Sequence, residues 1–321
     1  MSITYSKCWK TRTSGFFKGF TMPEVLVVIF IVGIIIALII PAVLMSRESA
    51  RKAGCIANLK QLGIAFSSYV SNLGSFPMMN NGRKGYSAHS MILPYIDNGA
   101  VFNSINFSLP FIDRSNITSI TTEIKTFLCP SDSSYGLGAR NSYPGNVGHS
   151  YQIDKRLNGI FVKRPDQPTH LSDIRDGSST TGLIGEWVLG SGDRNVTNPL
   201  SSVFSTGKPL IKPDEYDEFI QECKNVNYSL KNMVTDKGLN WLGSGLGGTN
   251  YDHNMKPFDN SCTNGQFVFE GAWTASSFHN NGCHLLFADG HAIFIKRTVN
   301  LQTWRGIATR AGGEVISEDD F

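Results

Sequence analysis

No strong excess of either charge marks this chain: 29 lysines and arginines face 26 acidic residues, a formal net charge of +3 over 321 residues. A balance so small and dispersed argues against a nucleic-acid partner, which needs a basic stripe or patch. Low-complexity tracts are missing as well. With 41% hydrophobic and 17% charged residues, the composition is that of a folded protein. The signatures G-x-S-x-G, H-E-x-x-H and the Walker loop do not occur, so no catalytic motif marks the chain as an enzyme. Gly243-Ser244-Gly245-Leu246-Gly247-Gly248 spells G-x-G-x-x-G. No apolar strand precedes it and no helix follows, so a dinucleotide site is rejected. The cysteines form no C-x-x-C, which argues against a zinc ribbon or thioredoxin-type site.

What is present is one long apolar run. Residues 25–40 carry no charge, and after Pro41 the run continues through Ala42, Val43, Leu44 and Met45 to Ser46-Arg47-Glu48. A helix needs about 20 such residues to cross the hydrocarbon of a bilayer. Gly33 and Pro41 are the only breakers, and membrane helices tolerate both. A core helix of a soluble protein is rarely apolar on every face. A secretory signal peptide would place an A-x-A-like site after the run; here the small residue, Gly19, comes before it. Lys7, Lys10, Arg12 and Lys18 precede Gly19, where the positive-inside rule places cytoplasmic charge. The following flank is basic too (Arg47, Arg51, Lys52), so charge supports an inside N-terminus only modestly. Glu24 stands at the edge of the run, where a carboxylate either snorkels to the interface or has a partner.

Gly19-Phe20-Thr21-Met22-Pro23-Glu24 and the run behind it resemble the class III leader of type IV prepilins and type II secretion pseudopilins. The resemblance implies a cut by prepilin peptidase between Gly19 and Phe20, with Phe20 becoming the N-methylated terminus. Glu24 then takes the family's acidic position, fifth after the cut, and Pro41 its helix-kinking proline. Met22-Pro23 departs from the usual aliphatic pair, but a proline in the first helical turn costs little.

Beyond Met45 the spacing of Ala50, Ala53, Ile56-Ala57, Leu59, Leu62-Gly63, Phe66, Tyr69-Val70 and Leu73 predicts one apolar helical stripe, ending at Asn72-Leu73-Gly74. The chain thus divides into a leader (1–19), a transmembrane helix (20–45), its continuation (46–75) and a head (76–321). In the head, a short helix is expected over 90–96 and strands over 122–128, 159–162 and 181–186. A turn is expected over 142–146, an irregular insertion over 193–277 and a short helix over 301–310. Residues 279–296 read as a β-hairpin, with Asp289-Gly290 as a two-residue type I′ loop. The fold class is α+β and pilin-like: a long N-terminal helix packed on an antiparallel sheet.

His279, nine further residues and Asp289-Gly290 match the H-x9-DG signature of prepilin-type processing-associated domains, a bacterial family of unknown function with the same leader. The resemblance extends through Cys55-Ile56-Ala57-Asn58-Leu59-Lys60-Gln61, Phe127-Leu128-Cys129-Pro130-Ser131-Asp132, Asp173-Ile174-Arg175-Asp176-Gly177-Ser178-Ser179-Thr180 and Thr303-Trp304-Arg305. His291 departs from it, replacing a usual serine. Of the six cysteines, Cys8 falls in the leader, and an oxidising periplasm favours disulfides among the rest. Cys55 and Cys129 lie in resembling blocks and are expected to pair, with Cys223 and Cys262 bridging the insertion. His279, His284, Asp289 and His291 suggest a metal, but the two hairpin histidines have no close carboxylate set in the sequence and the spacing defines no ligand geometry. Because resembling pseudopilins often bind calcium in a head loop, Asp173, Asp176 and Glu186 are candidate calcium ligands, although no EF-hand pattern occurs. Trp187, Trp241 and Trp273 are read as a carbohydrate surface or as core anchors.

These features point to a membrane-anchored, pilin- or pseudopilin-like structural subunit without catalytic residues. The expected partners are prepilin peptidase, other pilin-like subunits, the inner-membrane assembly platform and the lipid bilayer. The expected location is the bacterial inner membrane, single-pass, N-terminus cytoplasmic and head periplasmic, with export into a surface filament. The alternative is an anchored ligand- or carbohydrate-binding protein that does not polymerise.

Overall fold

The computed structural model describes residue 19 and residues 21–79, 84–132, 138–149, 157–162, 168–193, 195–206, 215–227, 233–263 and 271–316. Lys7, Cys8, Lys10, Arg12 and Lys18 of the expected leader, the expected first mature residue Phe20, and Asp319-Asp320-Phe321 lie outside the described residues.

Helix α1 (Met22–Leu73) is continuous over 52 residues, about 78 Å at 1.5 Å per residue. At its start, Glu24 Oε2 accepts the Thr21 backbone N–H at 2.7 Å and the Thr21 hydroxyl at 2.8 Å. This is half of a capping box, closing two donors of the first turn. Pro41 lies within the helix, where it removes the bond to the Ala37 carbonyl. The end is sharp: Gly74 takes φ +80° and donates to the Val70 carbonyl at 2.7 Å, a conformation glycine adopts without steric cost.

The chain separates into two compact units after Ser49. In the first, α1 is apolar on all sides, its large side chains from Met22 to Met45 are exposed, and it is long and apolar enough to cross a membrane. In the second, α1 buries a stripe of Cys55, Leu59, Leu62, Gly63, Ala65, Phe66 and Val70. Each fully buried Leu or Phe contributes about 1.5–3 kcal/mol. Ala50, Ala53, Ala57 and Leu73, expected in the stripe, are exposed. Phe66 meets Phe161 edge-on at 5.4 Å, and Asn58 Nδ2 donates to the Leu128 carbonyl at 2.8 Å.

Short helices α2 (Ala88–Met91), α3 (Gly99–Ser104) and α4 (Ile117–Thr121) follow. The helix expected over 90–96 is split into α2 and a 3-10 turn, Leu93–Ile96, with Pro94 near its start. The strands among the described residues are β1 (Gly145–Asn146), β2 (Gly182–Ile184), β3 (Val203–Ser205), β4 (Met233–Val234), β5 (Asn250–Tyr251), β6 (Ser261–Thr263), β7 (Gly271–Ala272), β8 (Gly282–Phe287) and β9 (Ala292–Lys296). One sheet has the order β5-β1-β2-β8-β9 and the other β4-β3-β6-β7. The fold is α+β, but both sheets are mixed rather than antiparallel, because β1 pairs parallel with β5 and β3 with β6.

Several expected elements differ. Residues 122–128 are not a strand: Lys125–Phe127 is a 3-10 turn, and Ile124, Phe127 and Leu128 bury together at three- and four-residue spacing. Residues 159–162 form no strand, although Gly159 and Phe161 donate to the Val147 and Asn146 carbonyls. The turn expected over 142–146 contains β1 instead, where a Cβ on Gly145 would stand 2.6 Å from the Phe161 ring. Residues 193–277 are no mere insertion. They supply the whole second sheet, helix α5 (Tyr216–Lys224) and strand β5 of the first. Phe204, Phe219, Ile220, Met233 and Met255 form a core of their own there. Helix α6 (Leu301–Gly306) stops short of residue 310, and Asn300 caps its start.

The hairpin β8–β9 is present, but not with a two-residue loop. Phe287 N–H bonds the His291 carbonyl, Gly290 N–H bonds the Phe287 carbonyl, and only Gly290 (φ +94°) takes the left-handed region there. This is the three-residue loop of a type I turn closed by a left-handed glycine. The loop seats on α1 at Gly63, where a Cβ would stand 3.1 Å from Leu286 Cδ1 and 3.2 Å from Gly290 Cα. Replacing Gly63→Leu should therefore pry the hairpin from the helix and destabilise the chain by about 1–3 kcal/mol. Denaturant unfolding of the detergent-solubilised protein reads this, and an unchanged midpoint would show that the hairpin does not depend on that seat.

Candidate functional site

Strand β2 runs on through Gly185 into Glu186, beside strand β8 and the segment that enters it. A side chain at Gly185 would collide with the Tyr251 ring, 2.4 Å from the position of a Cβ, so the backbone is drawn close to β5 here. Glu186 is buried, with 1% exposure. His284, on β8, donates its backbone N–H to Glu186 Oε2 at 3.0 Å and places Nδ1 3.2 Å from the same oxygen. His279, just before β8, places Nε2 3.3 Å from Oε1. The two imidazoles meet edge to face, 4.9 Å apart. Burial pushes the Glu186 carboxyl up, but the adjacent His279 and His284 rings more than offset this and hold it at about 2. Glu186 is an ionised group in the interior, kept there by its two neighbours.

The disulfide Cys55–Cys129 adjoins this centre. Its Cα atoms are 4.9 Å apart, and Cys129 Sγ lies 3.8 Å from His279 Nε2. Tyr143 reaches across to donate its hydroxyl to the Cys55 carbonyl at 3.3 Å. The centre thus gathers α1, the loop after Phe127, the end of β2 and the start of β8. The second expected pair, Cys223–Cys262, is also bonded, with Cα atoms 5.8 Å apart, and it joins α5 to β6. Cys283 is a buried free thiol.

Residues 45–302 match the model of a family described as a protein of unknown function, DUF1559. The chain belongs to the DUF1559 family. No curated protein and no solved structure matches it. The part of this DUF1559 chain that matches contains Cys55, Cys129, Glu186, His279, His284, Asp289 and Gly290, and leaves out Gly19, Phe20 and Glu24.

The two ends of H-x9-DG serve different places. His279 belongs to the buried centre, whereas Asp289 is in the hairpin loop, accepting the His291 backbone N–H at 3.0 Å and lying 2.6 Å from His291 Nδ1. His291 stacks on Phe287 at 4.5 Å. Asp289 and Gly290 border an open groove of ≈ 470 Å³ with Gly63, Ser67, Ser71 and Asn72 of α1. The expectation that His284 lacks a close carboxylate is overturned by Glu186, which is 98 residues away in sequence.

The calcium candidates are not brought together. Asp173 Oδ2 accepts the His170 N–H at 2.8 Å. Asp176 accepts Thr309 Oγ1 and the N–H groups of Gly312 and Gly313 at 2.6–3.0 Å, holding the C-terminal turn. Glu186 sits apart from both, among the two histidines. Trp187, Trp241 and Trp273 are each at most 1% exposed, so they are core anchors and form no carbohydrate surface. Lys237 escaped the sequence reading altogether. It is fully buried, donates to the Leu200 carbonyl at 3.0 Å, and burial pushes its ammonium down to about 7.

The low value of Glu186 fixes the sign of a pH effect. Between about pH 4.5 and about pH 2 the unfolded carboxylate takes up a proton that the folded one refuses. The stability it contributes is complete above that window and lost as pH falls through it. Unfolding midpoints of wild type should fall more steeply across the window than those of Glu186→Gln. Glu186→Ala, which strips both imidazoles of their partner, should cost about 3–5 kcal/mol at neutral pH. Parallel slopes for wild type and the glutamine variant would contradict the ionised assignment.

Proposed function

We propose that this DUF1559 protein is a membrane-anchored, pilin- or pseudopilin-like structural subunit, cut by prepilin peptidase between Gly19 and Phe20 and N-methylated at Phe20. The observation that supports this reading is α1 itself. It is one unbroken helix whose first part is apolar on every side and whose later part buries a stripe in the head. In this reading the first part is held by hydrocarbon in the inner membrane and then packs against other subunits as a filament assembles on its platform. The head lies in the periplasm and has a structural rather than a catalytic role.

Glu24 would set the register of assembly by pairing with the Phe20 amine of a neighbour, an attraction stronger in a low-dielectric surrounding than in water. Its carboxylate already closes the first turn through Thr21 on Oε2, so the reading assigns Oε1 to that amine. Two substitutions separate capping from charge. Glu24→Gln retains a residue suited to the capping box but removes the charge; Glu24→Ala removes both.

Mass spectrometry of the mature protein should find an N-methylated Phe20, and Gly19→Val should block the cut. Both Glu24 variants should insert in the membrane, while recovery in sheared surface material falls on the order of tenfold, as about 1.4 kcal/mol of lost pairing would produce. Rescue by Glu24→Gln alone would reduce Glu24 to a helix cap. Wild-type recovery of both variants would end the assembly reading in favour of an anchored binding protein.

A further inference from the structure

Four side chains of the Glu186 centre converge, the His279–Glu186 pair supplying two of them. The Sγ atoms of Cys55 and Cys129, a ring nitrogen of His279 and a carboxylate oxygen of Glu186 all lie within 4.8 Å of one another, and all four residues are buried. Tetrahedral zinc holds sulfur at about 2.3 Å and nitrogen or oxygen at about 2.0–2.1 Å. Those lengths set edges of about 3.6 Å between sulfur and nitrogen and about 3.3 Å between nitrogen and oxygen. The corresponding distances here are 3.8 Å, from Cys129 Sγ to His279 Nε2, and 3.3 Å, from His279 Nε2 to Glu186 Oε1. Two of the six edges of a tetrahedron are therefore laid out, whereas the sulfur–sulfur edge is a covalent bond here and has to open to about 3.8 Å on reduction.

The surroundings of Glu186 are those of a ligand held from behind. The backbone N–H and Nδ1 of His284 address Oε2. Oε1 is turned towards His279, whose Nε2 lies 3.3 Å away. Partners on the far oxygen are what orient a ligating carboxylate.

We propose that, when the Cys55–Cys129 disulfide is reduced, Cys55, Cys129, His279 and Glu186 form a mononuclear tetrahedral site for a zinc-class divalent cation. The same centre then fastens α1 to the β2 end and the β8 start through either a disulfide or a metal. The step balances with a dithiol reductant. Two electrons and two hydrogens pass to the cysteines as the reductant closes its own disulfide, and the cation displaces to solvent the two thiol protons and the His279 Nε2 proton that faces Glu186. Two thiolates with an imidazole select zinc, or cobalt as its spectroscopic substitute, over calcium and magnesium, which need oxygen shells.

The test uses the full chain in detergent micelles, reduced with a dithiol, freed of it under argon and titrated with Co2+. One Co2+ per chain should bind with thiolate-to-metal charge-transfer absorption and tetrahedral d–d bands, and Zn2+ should displace it. The oxidised chain should show neither band, and His279→Ala and Glu186→Gln should weaken binding at least about tenfold. Cysteine alkylation mapped by mass spectrometry on reduced wild type needs no variant to fold. Zn2+ should protect Cys55 and Cys129 while Cys223 and Cys262 react. Absence of a thiolate band, a band indifferent to both substitutions, or protection that fails to single out Cys55 and Cys129 would overturn the proposal.

Discussion

Withdrawing a carboxylate from water costs several kcal/mol unless donors replace the solvent, and at Glu186 this chain meets that cost with two histidines and a backbone N–H. Much of the head follows from that requirement. β2 must end beside β8 so that His284 faces the carboxylate, and the segment before β8 must turn so that His279 reaches the other oxygen. Cys129 must then lie against His279, which brings the disulfide and with it Cys55 of α1. A displacement of any one of these elements leaves a charge without its partner, so their positions are coupled through one buried group.

Helix α1 answers to two environments with one backbone geometry. Up to Met45 it has no polar side, and from Cys55 it has a stripe that the head core covers. Arg47, Glu48, Arg51 and Lys52 fall between the two regimes. Lys52 illustrates the transition: its ammonium lies 3.6 Å from the centre of the Phe294 ring, an attraction of charge to the ring face. Within the head, the stripe works through aromatic contact, from Phe66 to Phe161 and His89, then from His89 to Phe127. His89 is neutral in this setting, burial having pushed it down to about 4.

The helix and the hairpin were legible because each carries a long, regular signal: an apolar run with a stop at Gly74, and two alternating stretches around Asp289-Gly290. The type of hairpin loop was not legible, since Asp-Gly suits both a two-residue turn and the first-turn-plus-glycine form, and the choice falls to pairing of Phe287 with His291. Most other strands have two or three residues, too few for a period of two to show. Residues 122–128 misled for a related reason: apolar Ile124, Phe127 and Leu128 sit at helical spacing inside a β-prone composition. The Glu186 centre was visible only as parts, because its carboxylate and imidazoles lie more than 90 positions apart in the chain. The half capping box at Thr21 and Glu24 is written in the sequence as T-x-x-E, although the place of Glu24 at the edge of the apolar run points first to a partner or the interface.

The pattern of disulfides bears on the order in which the chain can fold. From Cys55 onward, each cysteine bonds to the next one available: Cys55 to Cys129 across 74 positions, then Cys223 to Cys262 across 39. Cys283 comes last and stays free on β8. A chain released N-terminus first can therefore complete each native pair before the following cysteine appears, with the surplus thiol of Cys283 arriving last. Vectorial emergence of such a chain would exclude mispaired states that the same chain would have to escape when refolding from a fully reduced, full-length start.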